Sequence, residues 1–276
     1  MDPLTSQQQL SPHLVRQAAV KVPQVTALFW IVKVLATGIG GTGSDFMFLS
    51  LNHVVALVLG IVGFTLAIRL QLRADRYVPW RYWFAVSMVA VFGTQWADVL
   101  HVGLGVPYAA TTAFFAAVLT GIFIWWYAKE KTLSIHSVNT RRRERFYWAT
   151  VLATFALGTA AGDLTAVTLN LGYFSSGIMF AVVILVPLVA HRWMRLNAII
   201  AFWFAYITTR PLGASFADWF AVTPEKGGLH WGAGPVTGCG LIALIGLVGY
   251  LALADRKNTP THDVEAVEPA GSLTDR

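Results

Sequence analysis

The chain has 276 residues, 56% of them hydrophobic and 12% charged, with a formal net charge of +6. Its mean hydropathy is positive, which excludes an ordinary soluble domain of this size and makes lipid the expected solvent. A single cysteine, Cys239, excludes an internal disulfide and a thiolate metal cluster.

Residues 1–20 are polar and lack the apolar core of a cleavable signal. Apolar runs long enough to cross roughly 30 Å of hydrocarbon then follow at about 25–45, 53–71, 81–99, 107–128, 146–164, 173–192, 197–218 and 234–254. No strand-like alternation is present, and only helices or closed barrels satisfy the backbone in lipid. The expected fold is therefore an all-α integral membrane protein of eight transmembrane helices, with a single membrane domain over 21–255. Residues 256–276 are rich in Thr, Pro, Asp, Glu and Gly and read as a disordered tail.

Four of these runs share a pattern. An aromatic residue and a Trp are followed, after fourteen further residues, by Asp: Phe29 to Asp45, Tyr82 to Asp98, Tyr147 to Asp163 and Phe202 to Asp218. Ten places after each Trp stands a glycine, at Gly40, Gly93, Gly158 and Gly213. The chain thus divides into four two-helix repeats at about 24–73, 77–130, 142–194 and 197–255. A two-helix unit returns to the side it started from, so the repeats run parallel, related by an axis along the membrane normal. A quasi-fourfold or two-plus-two bundle follows, with the patterned first helices at its centre and the blander second helices facing lipid. The repeated glycine is expected to be a close helix contact, and the repeated Trp an interfacial anchor or packing residue.

Basic residues set the orientation. Arg16, Lys21, Arg69, Arg73, Arg76, Arg81, Lys129, Lys131, the run from Arg141 to Arg145, Arg192, Arg195, Arg256 and Lys257 fall on one side, against Lys226 alone on the other. The positive-inside rule makes that side, and both termini, cytoplasmic, and puts the four Asp toward the outer face. The positive charge reflects topology and gives no support to nucleic-acid binding.

Four carboxylates at one depth are the candidate ion or proton site: Asp45, Asp98, Asp163 and Asp218. Ionisable residues inside membrane segments face cavities and mark ion or proton paths. Thr94 and Thr159 lie four residues before Asp98 and Asp163, on the same helix face, where a hydroxyl can reach the carboxylate; Gly41 and Ala214 occupy that place in the other two repeats. Two cations also lie within the membrane. Lys33 follows its Trp by three residues, and Arg210 precedes Pro211, whose ring is expected to kink its helix. Arg210 is about 12 Å of helical rise from Asp218, so its partner must lie on another helix. Lys33 and Arg210 are expected to balance charge or to gate the inner half. If all are ionised, four Asp against Lys33 and Arg210 leave a net −2, which one divalent cation would neutralise; the alternative is that the two cations pair with two of the Asp and shared protons neutralise the rest. His53, His101 and His230 fall near the Asp ends, and Asp with imidazole is a ligand set for transition metals, although no metal-binding spacing accompanies them.

The segments KVPQVTALFWIVKVLATGIGGTGSDF, LSIHSVNTRRRERFYW, TFALGTAAGDL and AYITTRPLGASFAD closely resemble the bacterial inner-membrane family built from four tandem two-helix repeats of unknown function, the uncharacterised membrane-anchored proteins. The resemblance covers residues 21 to about 255. It implies eight helices and the bacterial inner membrane, and brings no established activity. The first repeat of that family often carries an acidic residue directly after the glycine, in a GET-type motif. Gly41 stands there in this sequence, so a site that depends on that carboxylate is altered here.

The leading expectation is a transporter or channel for cations, divalent metal foremost, with partial dehydration at the Asp ring. The alternative is a proton-coupled transporter of a small organic solute. A membrane enzyme or sensor-assembly partner is the third class. Against an enzyme stands the absence from the sequence of a nucleophile and base pair, a two-histidine motif and a nucleotide loop. The expected partners are the lipid bilayer and the transported cation or solute. No cofactor is implied beyond a divalent metal ion.

Overall fold

A side chain closes the start of several long helices. Thr26, Asn52, Thr140 and Asn197 each accept the amide of a residue in the first turn that follows, satisfying donors that a helix start leaves open. The computed structural model describes residues 20–258. The segment expected at 1–20, apart from Val20, and the tail expected at 256–276, beyond residue 258, lie outside the described residues. All the described secondary structure is helical: α1 (Ala27–Ser50), α2 (His53–Leu72), α3 (Pro79–Asp98), α4 (Tyr108–Glu130), α5 (Arg141–Asp163), α6 (Gly172–Val183), α7 (Leu185–Trp193), α8 (Ala198–Ala221) and α9 (Ala233–Asn258). The α6–α7 break falls at Ile184, just before Pro187, which cannot donate to the preceding turn. Short π-helical segments, Val99–Gly103 and Leu164–Thr168, continue α3 and α5 directly after Asp98 and Asp163.

Seven spans among the described residues are long and apolar enough to cross a membrane. The eighth expected span, α8, has 24 residues but is not one of them. Its sequence carries Thr208, Thr209, Arg210, Ser215 and Asp218, polar groups that face other helices rather than lipid. The helix continues through Pro211.

Four helices close a ring in which α1 packs on α3, α3 on α5, α5 on α8 and α8 on α1. The other helices form an outer layer. In α1, α3 and α5, 61–67% of each spanning window is buried, against 17–22% in α2, α4, α6–α7 and α9. Each outer helix packs chiefly on the ring helix of the following repeat: α2 on α3, α4 on α5, α6 and α7 on α8, and α9 back on α1. The packing unit therefore straddles the sequence repeat.

The repeated residues explain the ring. A Cβ on Gly40 would meet the Ala90 backbone, one on Gly93 would meet Phe155, one on Gly158 would meet Arg210 and Pro211, and one on Gly213 would meet Thr37 and the Val34 carbonyl. Each glycine is the point where its helix touches the next, the close approach that small residues permit between membrane helices. The aromatic pairs close one end by the same rule. Phe29 contacts Trp83, Tyr82 contacts Trp148, Tyr147 contacts Trp203 and Phe202 contacts Trp30, with centroids 5.6–6.1 Å apart. Trp83, Trp148 and Trp203 are buried, so these Trp are packing residues and not surface anchors.

Candidate functional site

The opposite end of the ring is polar. Asp45, Asp98, Asp163 and Asp218, each half-buried, line one cavity of about 160 Å3. Equal register on four helices packed in a cycle brings together carboxylates that lie up to 173 residues apart. Because α1, α3, α5 and α8 all end on this side, the negative poles of four helix dipoles add to the carboxylate field.

Arg210 lines the same cavity and is 1% exposed. One terminal nitrogen donates to the Thr94 and Thr159 hydroxyls at 2.6 and 2.9 Å, and the other to the Thr37 carbonyl at 3.1 Å. The partner demanded by its depth is thus on other helices, and it is a set of neutral acceptors. No ion pair joins Arg210 or Lys33 to any Asp among the described residues. Thr94 and Thr159 donate back to the carbonyls of Ala90 and Phe155, which leaves their lone pairs for the guanidinium. They therefore serve Arg210, and not Asp98 and Asp163 as the spacing suggests. The correction has a geometric cause: a hydroxyl one turn deeper than the carboxylate lies level with Arg210. Gly41 completes this seat, since a Cβ there would lie 3.3 Å from both terminal nitrogens of Arg210.

One turn deeper, the Lys33 amine is fully buried between the rings of Phe155 and Tyr206, 4.0 and 4.1 Å from their centroids, without a hydrogen-bond partner. Cation–π attraction is the contact that remains to it. Tyr206 lies beside it, and below it are the Tyr82 and Tyr147 hydroxyls, 2.5 Å apart, within the aromatic closure. Beyond the closure, Glu144 is buried and receives Lys21 at 2.9 Å and Gln71 at 3.2 Å. Lys33 therefore belongs to the closed half of the bundle and not to the cavity.

The three histidines do not line the cavity. His53 is exposed and stacks on Phe48, His230 is exposed, and His101 bonds the Val106 carbonyl and stacks on Tyr108 at 3.4 Å. Among the described residues, no group of three or more His, Cys, Asp or Glu is placed to hold a metal ion.

Five cavity residues are not named in the sequence pattern, Tyr108, Gly162, Tyr173, Ser215 and Val222, and three of them carry a hydroxyl. A signal for the tyrosines is nevertheless present, because each stands ten places after its Asp, in the second and third repeats. Ser215 precedes Asp218 by three places, on the same helix face.

Segments 81–132, 146–197 and 201–257 match the family described as "Repeat of Unknown Function (DUF347)". They cover more than half of the chain, which belongs to that family; the first motif, Phe29 to Asp45, lies before them. Neither the curated proteins nor the solved structures provide a match.

Proposed function

We propose that this member of the repeat family is a membrane transport protein for cations, with the cavity between Asp45, Asp98, Asp163 and Asp218 as its binding site. The observation that carries the reading is the unequal charge of that cavity: four carboxylates and one guanidinium that binds none of them. In a membrane interior such a set is costly unless cations or protons are drawn to it. All eight long helical segments cross the bilayer in this proposal, as four parallel repeats in a quasi-fourfold bundle. The Asp cavity opens to the outside of a bacterial inner membrane, and both termini lie in the cytoplasm. The aromatic closure, with Lys33 above it, is the barrier on the cytoplasmic side, so passage requires that end to open in an alternating manner.

A second reading draws on the buried column that continues from the cavity through Arg210 and Lys33 to the Tyr206, Tyr147 and Tyr82 hydroxyls. Lys33 and the tyrosine hydroxyls are ionisable groups inside the bundle, of the kind that marks proton paths, and this favours coupling of transport to proton movement.

Reconstituted vesicles test the proposal. Asn keeps the shape of Asp and removes its charge, so Asp98→Asn and Asp163→Asn should reduce cation uptake or cation-driven proton release while the protein still folds. Unchanged flux in all four single Asn variants and in the quadruple variant would refute the cavity's role in transport.

A further inference from the structure

We infer that the cation taken by the Asp cavity is a small organic ammonium ion, a primary amine or diamine, and not a coordinated metal ion. This rests on the reading of the cavity as a cation site and names the chemical class of its ligand.

The first ground is the size of the cavity. A bound Mg2+ or Ca2+ needs several oxygens converging within about 2.0–2.6 Å of one point. No group of three or more His, Cys, Asp or Glu among the described residues is placed to supply them. The Asp side chains instead surround about 160 Å3, the room of roughly five water molecules at about 30 Å3 each. That space suits a molecule, not a bare ion. An alkylammonium group carries three N–H donors at the end of an apolar chain, and can meet separate carboxylates through separate hydrogen bonds.

The second ground is the rest of the wall. Tyr108 and Tyr173 line the same cavity as the four Asp. Aromatic faces beside carboxylates are a recurring way to hold ammonium ions. His101 stacks on one face of Tyr108 and fixes the ring, leaving the other face free of that contact.

The third ground is an unfilled bond. Ser215 is 1% exposed, lines the cavity, and its hydroxyl has no hydrogen-bond partner. A buried hydroxyl without a partner is uncommon in a folded protein. A ligand N–H donor would complete it, in the same wall as Asp218.

Arg210 fixes the charge of the ligand. Its guanidinium is held by Thr94, Thr159 and the Thr37 carbonyl, so it stays at the floor of the cavity and leaves the carboxylate oxygens free. Four carboxylates against one guanidinium keep an excess of negative charge, which favours a dication over a zwitterion or an anion.

Binding of 1,4-diaminobutane, methylammonium, Mg2+ and Mn2+ to the purified full chain, followed by calorimetry and by thermal stabilisation, separates the alternatives. Saturable binding of 1,4-diaminobutane is expected, tighter than that of methylammonium. Ser215→Ala and Tyr173→Leu should each weaken it by about tenfold, the scale of one lost hydrogen bond or ring contact, while leaving the unliganded unfolding midpoint close to that of the parent. Asp98→Asn combined with Asp163→Asn should abolish it. Saturable Mn2+ or Mg2+ binding that requires the Asp, without binding of either amine, would overturn the ammonium assignment and leave the cation-transport proposal standing. Amine binding that is indifferent to Ser215→Ala, Tyr173→Leu and the Asp substitutions would also overturn it. Absence of all binding, together with absence of Asp-dependent flux, would remove both.

Discussion

Adding one methyl group should have opposite effects on the ring and on the outer layer. A Cβ on Gly93 would stand 2.8 Å from the Phe155 Cβ and 3.3 Å from the Ala156 nitrogen, and one on Gly40 would stand 2.1 Å from the Ala90 Cβ and 3.0 and 3.1 Å from the backbone carbons of Ala90. Carbon atoms rest about 3.5–4.0 Å apart, so the helices would have to separate by roughly 1 Å at Gly93 and by roughly 1.5–2 Å at Gly40. The obstructing atoms at Gly40 are the Cβ and backbone of Ala90, which no rotamer change relieves. Overpacking of this kind costs about 1–3 kcal/mol, against a helix-propensity gain of at most about 1 kcal/mol. Gly40→Ala and Gly93→Ala should therefore be destabilising. At Gly121, in the outer helix α4, nothing lies within 4 Å of the place an added methyl would take; Gly121→Ala should be neutral or stabilising by up to about 1 kcal/mol. Unfolding in mixed micelles by a denaturing detergent, followed by helical circular dichroism, measures the difference. Equal midpoints for the three variants would show that the glycines do not set the contacts of the ring.

Further outcomes follow from the polar contacts. Thr94→Val and Thr159→Val remove an acceptor from a buried guanidinium at nearly constant volume, and each should cost about 1.5–3 kcal/mol in the same unfolding assay; cost-free substitutions would mean that Arg210 is held by something else. Arg210→Ala should lose expression or stability far more than Arg192→Ala, because Arg210 is 1% exposed and Arg192 is exposed; equal behaviour would show that Arg210 reaches water. Tyr82→Phe and Tyr147→Phe should be non-additive, the double variant costing little more than either single one, since both break the same hydroxyl contact; full additivity would refute a direct bond. A reporter placed after Lys257 should be cytoplasmic and one inserted at Gly227 external, as the basic asymmetry requires; an external C terminus would refute the proposed orientation of the Asp cavity.

Much of this protein is legible in its sequence because the repeat is written into it. Apolar length fixes helical spans, since lipid leaves the backbone no other partners. Equal spacing from Trp to Gly to Asp fixes three levels along four helices, and these appear as an aromatic closure, a belt of close contacts and a ring of carboxylates. The polarity of α8 is visible in the sequence, and so, through its repeat motif, is its place among the four helices at the centre of the bundle. Partners across helices are beyond the reach of spacing alone. Whether a hydroxyl serves the carboxylate one turn away or a guanidinium from another repeat depends on which helices are neighbours, and only packing decides that. The same holds for the outer helices, each of which crosses to the ring helix of the next repeat. Tyr108, Tyr173 and Ser215 gain their meaning in the same way. Local sequence determines the depth of a residue in the bilayer and the face of the helix that bears it; the tertiary structure determines what stands opposite, because contacts between segments 50 to 170 residues apart are set by the closure of the ring.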